Sequence, residues 1–220
     1  MTAFSKTSRN QIKRKPKRGL YEREVIYQIL DEALICHVGF VENKQPCVIP
    51  INFTRVGDAI FLHGAKASRL LKHIGAGYPV CVEVTLVDGL VLARSVFNHS
   101  VNYRSVVLFG RGRPVEEFQE KLAALEAITD HIIPGRWREA RLPNRKELNA
   151  TGVVSIKIDE ASAKVRTGPP VDDEADYALP IWAGLLPVQE TYLHPVRDEH
   201  TAEEIALPDY IANYSRKQMG

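Results

Sequence analysis

Residues 91–110 read Val-Leu-Ala-Arg-Ser-Val-Phe-Asn-His-Ser-Val-Asn-Tyr-Arg-Ser-Val-Val-Leu-Phe-Gly. Both ends are apolar and strand-like. Between them lie Arg94, Ser95, Asn98, His99, Ser100, Asn102, Tyr103, Arg104 and Ser105. Burying such groups unpaired costs roughly 1–3 kcal/mol each. The middle therefore either pairs with itself, as a hydrogen-bonded loop between strands, or faces a polar ligand.

Working outward, residues 78–93 read as one long strand bent at Asp88-Gly89, or as two. The strand over 102–115 carries Gly110 and Gly112, which mark a bulge or turn. Upstream, Val25, Ile26, Ile29, Leu30, Ala33 and Leu34 recur at helical spacing and predict a helix over 21–34. The period then changes. Residues 35–41 and 47–53 read as strands joined by the polar turn Glu42-Asn43-Lys44-Gln45, and 59–63 follows after Gly57-Asp58. Downstream, Phe118, Leu122, Leu125, Ile128 and Ile132 share one face of a helix over 116–133, stopped by Pro134-Gly135. Residues 153–158 alternate again, in a strand that can run on towards Val165. Strands and helices do not alternate regularly, which argues against a doubly wound sheet. The expected class is mainly β with flanking helices, a β-barrel of α+β type.

The 220 residues are 45% hydrophobic and 25% charged, enough for one globular domain with appendages. No apolar run is long enough to cross a bilayer. The N-terminus lacks the basic-then-apolar order of a secretory signal. A cytoplasmic protein with no membrane partner is expected. Of the 29 basic residues, seven (Lys6, Arg9, Lys13, Arg14, Lys15, Lys17 and Arg18) precede the first acidic residue. Without them, 22 basic residues face 27 acidic ones, a net charge of −5. A nucleic-acid-binding body would carry the basic face itself, so nucleic acid is not the expected partner. Residues 1–19 are expected to form a basic, solvated, disordered arm, 20–187 the folded domain, and 188–220 a C-terminal extension.

Cys36, Cys47 and Cys81 lack any Cys-x-x-Cys spacing and sit among apolar neighbours, so they read as small hydrophobes. No histidine pair has zinc-site spacing, and no metal site is expected. P-loop, complete dinucleotide and nucleophile-elbow motifs are absent. One stretch could hold an anion. After His63-Gly64, a helix beginning near Ser68 would offer free amides beside Lys66, Ser68 and Arg69. The same residues equally describe a serine-capped helix with surface cations.

Several separated stretches carry a resemblance. They are Val38-Gly39-Phe40-Val41; Pro50-Ile51-Asn52-Phe53; Leu62-His63-Gly64 with Ser68-Arg69; Asp88 to Arg94; and His99 to Val106. Later come Pro134-Gly135-Arg136-Trp137, Ser162 to Arg166, and Pro180-Ile181-Trp182-Ala183-Gly184. In this order they resemble the pyridoxamine 5'-phosphate oxidase-like FMN-binding split barrels, in the branch of the nitroimidazole-resistance proteins. The resemblance implies a six-stranded split barrel and a homodimer with FMN at its interface.

It also implies roles. Ser68 and Arg69, with Lys66, match the phosphate turn, and His63 lies close to the flavin. Ile49, Pro50, Ile51 and Asn52 border the ring. Asn102, Tyr103, Arg104 and Ser105 form the donor-rich strand, and Trp182 reaches towards the partner's flavin. The implied activity is an FMN-dependent oxidoreductase passing electrons between a small-molecule donor and a small acceptor, such as a nitro compound. His63 is then the candidate proton donor, with a hydrogen-bonded strand-end histidine as the alternative. A flavin carrier or sensor without turnover remains open. So does a haem-binding split barrel, with His63 or His99 as iron ligand.

Overall fold

Asn43 and Lys44 both have positive φ, 48° and 63°, and fold the chain into a tight hairpin. The computed structural model describes residues 2–215. Met1 of the expected arm and residues 216–220 of the expected C-terminal extension lie outside the described residues. The elements are β1 (Gly19–Leu20), α1 (Arg23–Glu32), β2 (Ile35–Glu42), β3 (Gln45–Val56) and β4 (Ala59–Ala65). Then come α2 (Arg69–Gly75), β5 (Pro79–Leu92), β6 (Ser100–Pro114), α3 (Phe118–Ile132), α4 (Arg136–Glu139) and α5 (Arg145–Ala150). The chain ends with β7 (Thr151–Lys157), β8 (Glu160–Arg166), β9 (Gly184–Pro187) and α6 (Asp209–Ala212).

Six strands close a ring in the order β6, β7, β4, β3, β2, β5, with β5 returning to β6. Every pairing is antiparallel. β8 and β1 continue outward from β6, and β9 from β5. The expected barrel with flanking helices is therefore present. β2 shows how it fills. Cys36, Val38 and Phe40 are buried, while Ile35, His37 and Val41 point outward. Val38, Phe53, Ile60, Leu62, Val82, Leu108 and Ile156 have no exposed surface. Each such burial contributes about 1.5–3 kcal/mol. From α1, Ile26, Ile29 and Leu30 enter the same core. α3 lies outside, where Ala124 and Leu125 pack with Phe61, Val115 and Val153.

Three expectations change. The strand expected to run from 153 towards 165 is two strands, β7 and β8, both paired with β6. Gly110 and Gly112 do not make a turn. A Cβ at Gly110 would lie 2.2 Å from the Lys157 carbonyl oxygen, and one at Gly112 2.2 Å from Ile74 Cγ2. Both glycines exist for close approach. The third change concerns the expected disordered arm, whose described residues are folded onto the barrel. Phe4 is 5% exposed, within the main core, and its amide donates to the Tyr21 carbonyl at 2.9 Å. Buried Asn10 donates to the Ala161 carbonyl at 3.2 Å, and Arg9 pairs with Glu160. Composition suggested disorder because cations outnumber apolar residues there. A few anchors, Phe4 and Asn10 foremost, outweigh that average.

The C-terminal segment also returns to the body. Tyr214 donates to the Ile132 carbonyl, and Tyr192 and Tyr214 meet edge-on at 4.7 Å. All three cysteines are free. Cys36 is buried, and burial pushes its thiol up to about 12.

The strap makes a testable case. Phe4→Ala should destabilise the protein by about 3–5 kcal/mol, as for a core aromatic. Lys13→Ala, at an exposed position, should stay within about 0.5 kcal/mol. Urea unfolding of the two variants checks both values.

Candidate functional site

The expected site residues fall into two groups. The first lies where β3 leaves β2 to pair with β4. Phe53 pairs with Leu62, so Asn52 and His63 are the next residues along. Pro50 pairs with His37 and Asn52 with Ile35 on the outward face. Ile49 and Ile51 turn the other way and pack against the core. Their side chains are structural, and only backbone, Pro50 and Asn52 face outward.

His63 ends this group from β4. It is half-buried, and its Nδ1 is buried with no hydrogen-bond partner among the described residues. Desolvation holds its pKa below the usual histidine value. The imidazole is thus neutral at physiological pH, able to accept or donate one hydrogen bond or to bind a metal. Below it, the Lys66 amide donates to the Ala150 carbonyl at 3.0 Å, which fixes the turn. Ser68 caps α2 by position, yet its hydroxyl makes no capping bond. The expected serine cap is therefore not made by the side chain, and the hydroxyl is available. The Arg69 guanidinium reaches Glu42 at 3.3 Å and lies 5.9 Å from the Phe40 ring centre. A cavity of about 540 Å³ opens beside it, lined by Arg69, Lys72, Glu42, Asn43, His73 and Tyr78 among others.

The second group lies far along β6. Gly112 pairs with β7, and Ser105 stands seven residues earlier, about 23 Å along an extended strand. Asn102–Ser105 therefore stand far along β6 from Gly112, which packs against Ile74 of α2, the helix that follows Ser68. The four residues also divide between themselves. Arg104 is held by Asp88 at 2.8 Å and by Glu32, also at 2.8 Å. Its hydrogen bonds to these two carboxylates, Glu32 first, raise its pKa. It forms the floor of a cavity of about 960 Å³ between α1, the β5–β6 ladder and residues 188–192. Its donors are occupied within the protein. Tyr103 and Ser105 point to the opposite, outward face. Asn102 donates to the Gly168 carbonyl at 3.1 Å and accepts from Arg166. Trp182 is exposed, its ring laid over Gly184, where a Cβ would be only 2.9 Å away.

Sequence reasoning missed Asp172. Its buried carboxylate accepts from the amides of Arg94 and Ser95 at 3.0 and 3.3 Å and from the Arg94 guanidinium. Burial alone would raise its pKa, but these donors together lower it. The polar middle of 91–110 is thus largely paired within the chain, through Asp172, Asp88 and Glu32. In the sequence Asp172 is one acid in an acidic run, with nothing to mark it out. Among the described residues, no cluster of His, Cys, Asp and Glu could hold a metal ion, and no helix is long and apolar enough to cross a membrane.

The family model for pyridoxamine 5'-phosphate oxidase matches residues 22–165. The chain belongs to that family. Two solved structures match nearly its whole length. One is the flavocytochrome Anf3 from Azotobacter vinelandii, at 41% identity and TM-score 0.88 over 93% of this chain and 95% of that one. The other is an FAD- and haem-binding protein from Mycobacterium smegmatis, at 37% identity and TM-score 0.84 over 88% and 95%. A candidate 5-nitroimidazole antibiotic resistance protein from Bacteroides thetaiotaomicron shares the fold at 22% identity and TM-score 0.56, over 67% and 86%. No curated protein matches.

The orphaned imidazole carries a prediction. An NMR titration of His63 should give a pKa below the unperturbed value of about 6.5. The unfolded chain then binds the extra proton first. Stability should be level above about pH 6.5 and should fall as pH drops below it. A His63→Gln variant should lack that part of the decline.

Proposed function

We propose that the chain is a redox protein that binds a flavin and a haem and works as a pair of identical chains. The observation that carries this is the extent of likeness. A match over 93% of the chain takes in most of the strap and C-terminal segment as well as the barrel. The protein so matched is a flavocytochrome. The nitroimidazole-type likeness covers only 67%. The family resemblance points to FMN, whereas the relative from Mycobacterium smegmatis, an FAD- and haem-binding protein, favours FAD.

The residues present fit a flavin. The unengaged Ser68 hydroxyl, Lys66 and Arg69 would hold its phosphate. Pro50 and Asn52 would border the ring, and His63 Nδ1 would donate to or accept from its polar edge. The flavin would supply hydride and single-electron chemistry at that place. For haem, a ligating histidine commonly anchors its other ring nitrogen to a carbonyl. His99 has this arrangement. Its Nδ1 lies 2.9 Å from the Ser95 carbonyl oxygen, leaving Nε2 free, and Val96 and Phe97 stand exposed beside it. His63 fits the flavin edge better than the iron, because it stands among the flavin-facing residues.

Pairing of two chains is supported by the outward sheet face. Ile35, Val41, Val48 and Val87 are 41%, 60%, 65% and 47% exposed there. A two-fold partner would also cover the distance between the two residue groups. A carrier without turnover of its own would use the same two cofactors.

The purified protein should show flavin bands together with an intense Soret band. His99→Ala should lose the Soret band and keep the flavin. A spectrum without haem, or a Soret band retained in His99→Ala, would overturn the corresponding assignment. Arg69→Ala should weaken flavin mononucleotide binding about ten- to a hundredfold, the worth of one charged hydrogen bond. Riboflavin, which has no phosphate, should bind almost as before in a fluorescence titration.

A further inference from the structure

Arg166 ends β8 and is 8% exposed. Its Nη1 donates to Asn102 Oδ1, a neutral acceptor, and its Nε is buried without a partner. No carboxylate among the described residues pairs with it. Gly19 pairs with Lys164, which sets Arg18 alongside the end of β8. Burial first, and then the Arg18 charge, works against the Arg166 charge. Lys164 stands two residues back on the same face, and Tyr103 pairs directly opposite Arg166. Elsewhere the chain treats its part-buried charges differently. Arg104 has Glu32 and Asp88, Arg94 has Asp172, and Arg55 has Asp31. A buried charge is costly unless an opposite charge meets it. Lys121, part-buried, also meets only carbonyls, those of Leu148 and Thr151; Arg166 is the arginine that combines a buried, unpartnered Nε with no carboxylate among the described residues.

We propose that Arg166, flanked by Arg18 and Lys164 and oriented by Asn102, receives, across the pair of chains, a phosphoryl group of a dinucleotide cofactor, namely the one that distinguishes FAD from FMN. The inference rests on the flavin reading for the cofactor's name, and on Arg166 alone for the anion. The guanidinium keeps Nε without a partner, and Nε with an amino group makes the fork that suits phosphate. Tyr103 supplies an aromatic face beside it.

The test uses the full chain stripped of cofactor, as wild type, Arg166→Gln and Arg18→Gln. FAD and FMN share ring and first phosphate, so they differ only in the part assigned to Arg166. FAD affinity should fall about ten- to a hundredfold in Arg166→Gln, and by less in Arg18→Gln, with FMN affinity unchanged in both. Thermal unfolding without ligand gives a second measure. Arg166→Gln should unfold at the same or a higher temperature, because an unmatched buried charge has gone. Inorganic pyrophosphate should raise the melting temperature of wild type, but not of Arg166→Gln.

Equal loss of FAD and FMN would make Arg166 part of the ring pocket or the fold, and would overturn the proposal. So would an unchanged FAD affinity, or a lower melting temperature without ligand. Should neither flavin bind wild type, the flavin reading fails by itself. Pyrophosphate stabilisation lost in both variants then upholds the anion site, and its absence from wild type overturns it. Arg18→Gln, at a part-exposed position, serves if Arg166→Gln does not fold.

Discussion

The ring closes only because two methyl groups are missing. Where β6 crosses from β5 and β8 to β7, the Lys157 carbonyl and Ile74 side chain occupy the space that side chains at 110 and 112 would need. Alanine at either place must push β7 or α2 outward. β6 then loses its third partner, and the ring of six strands opens into a sheet. The positions of His63 and Ser68 follow from this closure, since β4 is held against β7 from Ala59 opposite Lys157 to Ala65 opposite Thr151. The turn that carries Lys66, Ser68 and Arg69 is the end of that ladder.

Much of this was legible in the sequence, and the reason is periodicity. The hairpin around Asn43-Lys44, the alternation in β2 and the stripe on α1 are local, and local patterns survive translation into structure. What was hidden was pairing across distance. Asp172 looks like one acid among several, yet it alone satisfies the amides of Arg94 and Ser95, 77 residues or more away in sequence. Asn10 looks like a polar residue in a charged tail, yet it spans 151 residues to Ala161. Composition averages over such single anchors and so misjudged the strap. The resemblance set Arg104 with Asn102, Tyr103 and Ser105 on one donor-rich strand. The pleat separates them, turning Arg104 towards Glu32 and Asp88 while Tyr103 and Ser105 face the other way.

The two arginines at this end of the barrel show how much context fixes the use of one residue type. Arg104 is enclosed by two carboxylates and holds α1 to β5. Arg166, one strand over, has an amide oxygen and another cation for company. The first can be understood from the chain alone. The second has a buried Nε with no partner among the described residues.

Cys36 sits inside this barrel with its thiol pushed up to about 12. Cys81 is also shifted upward, by burial and then by Glu83. Thiolate, not thiol, is the form that oxidants attack. At neutral pH Cys36 and Cys81 therefore offer little thiolate to peroxide. The same apolar burial that holds the strands together makes these two sulfurs slow to oxidise, where the same residues left in water would cross-link sooner.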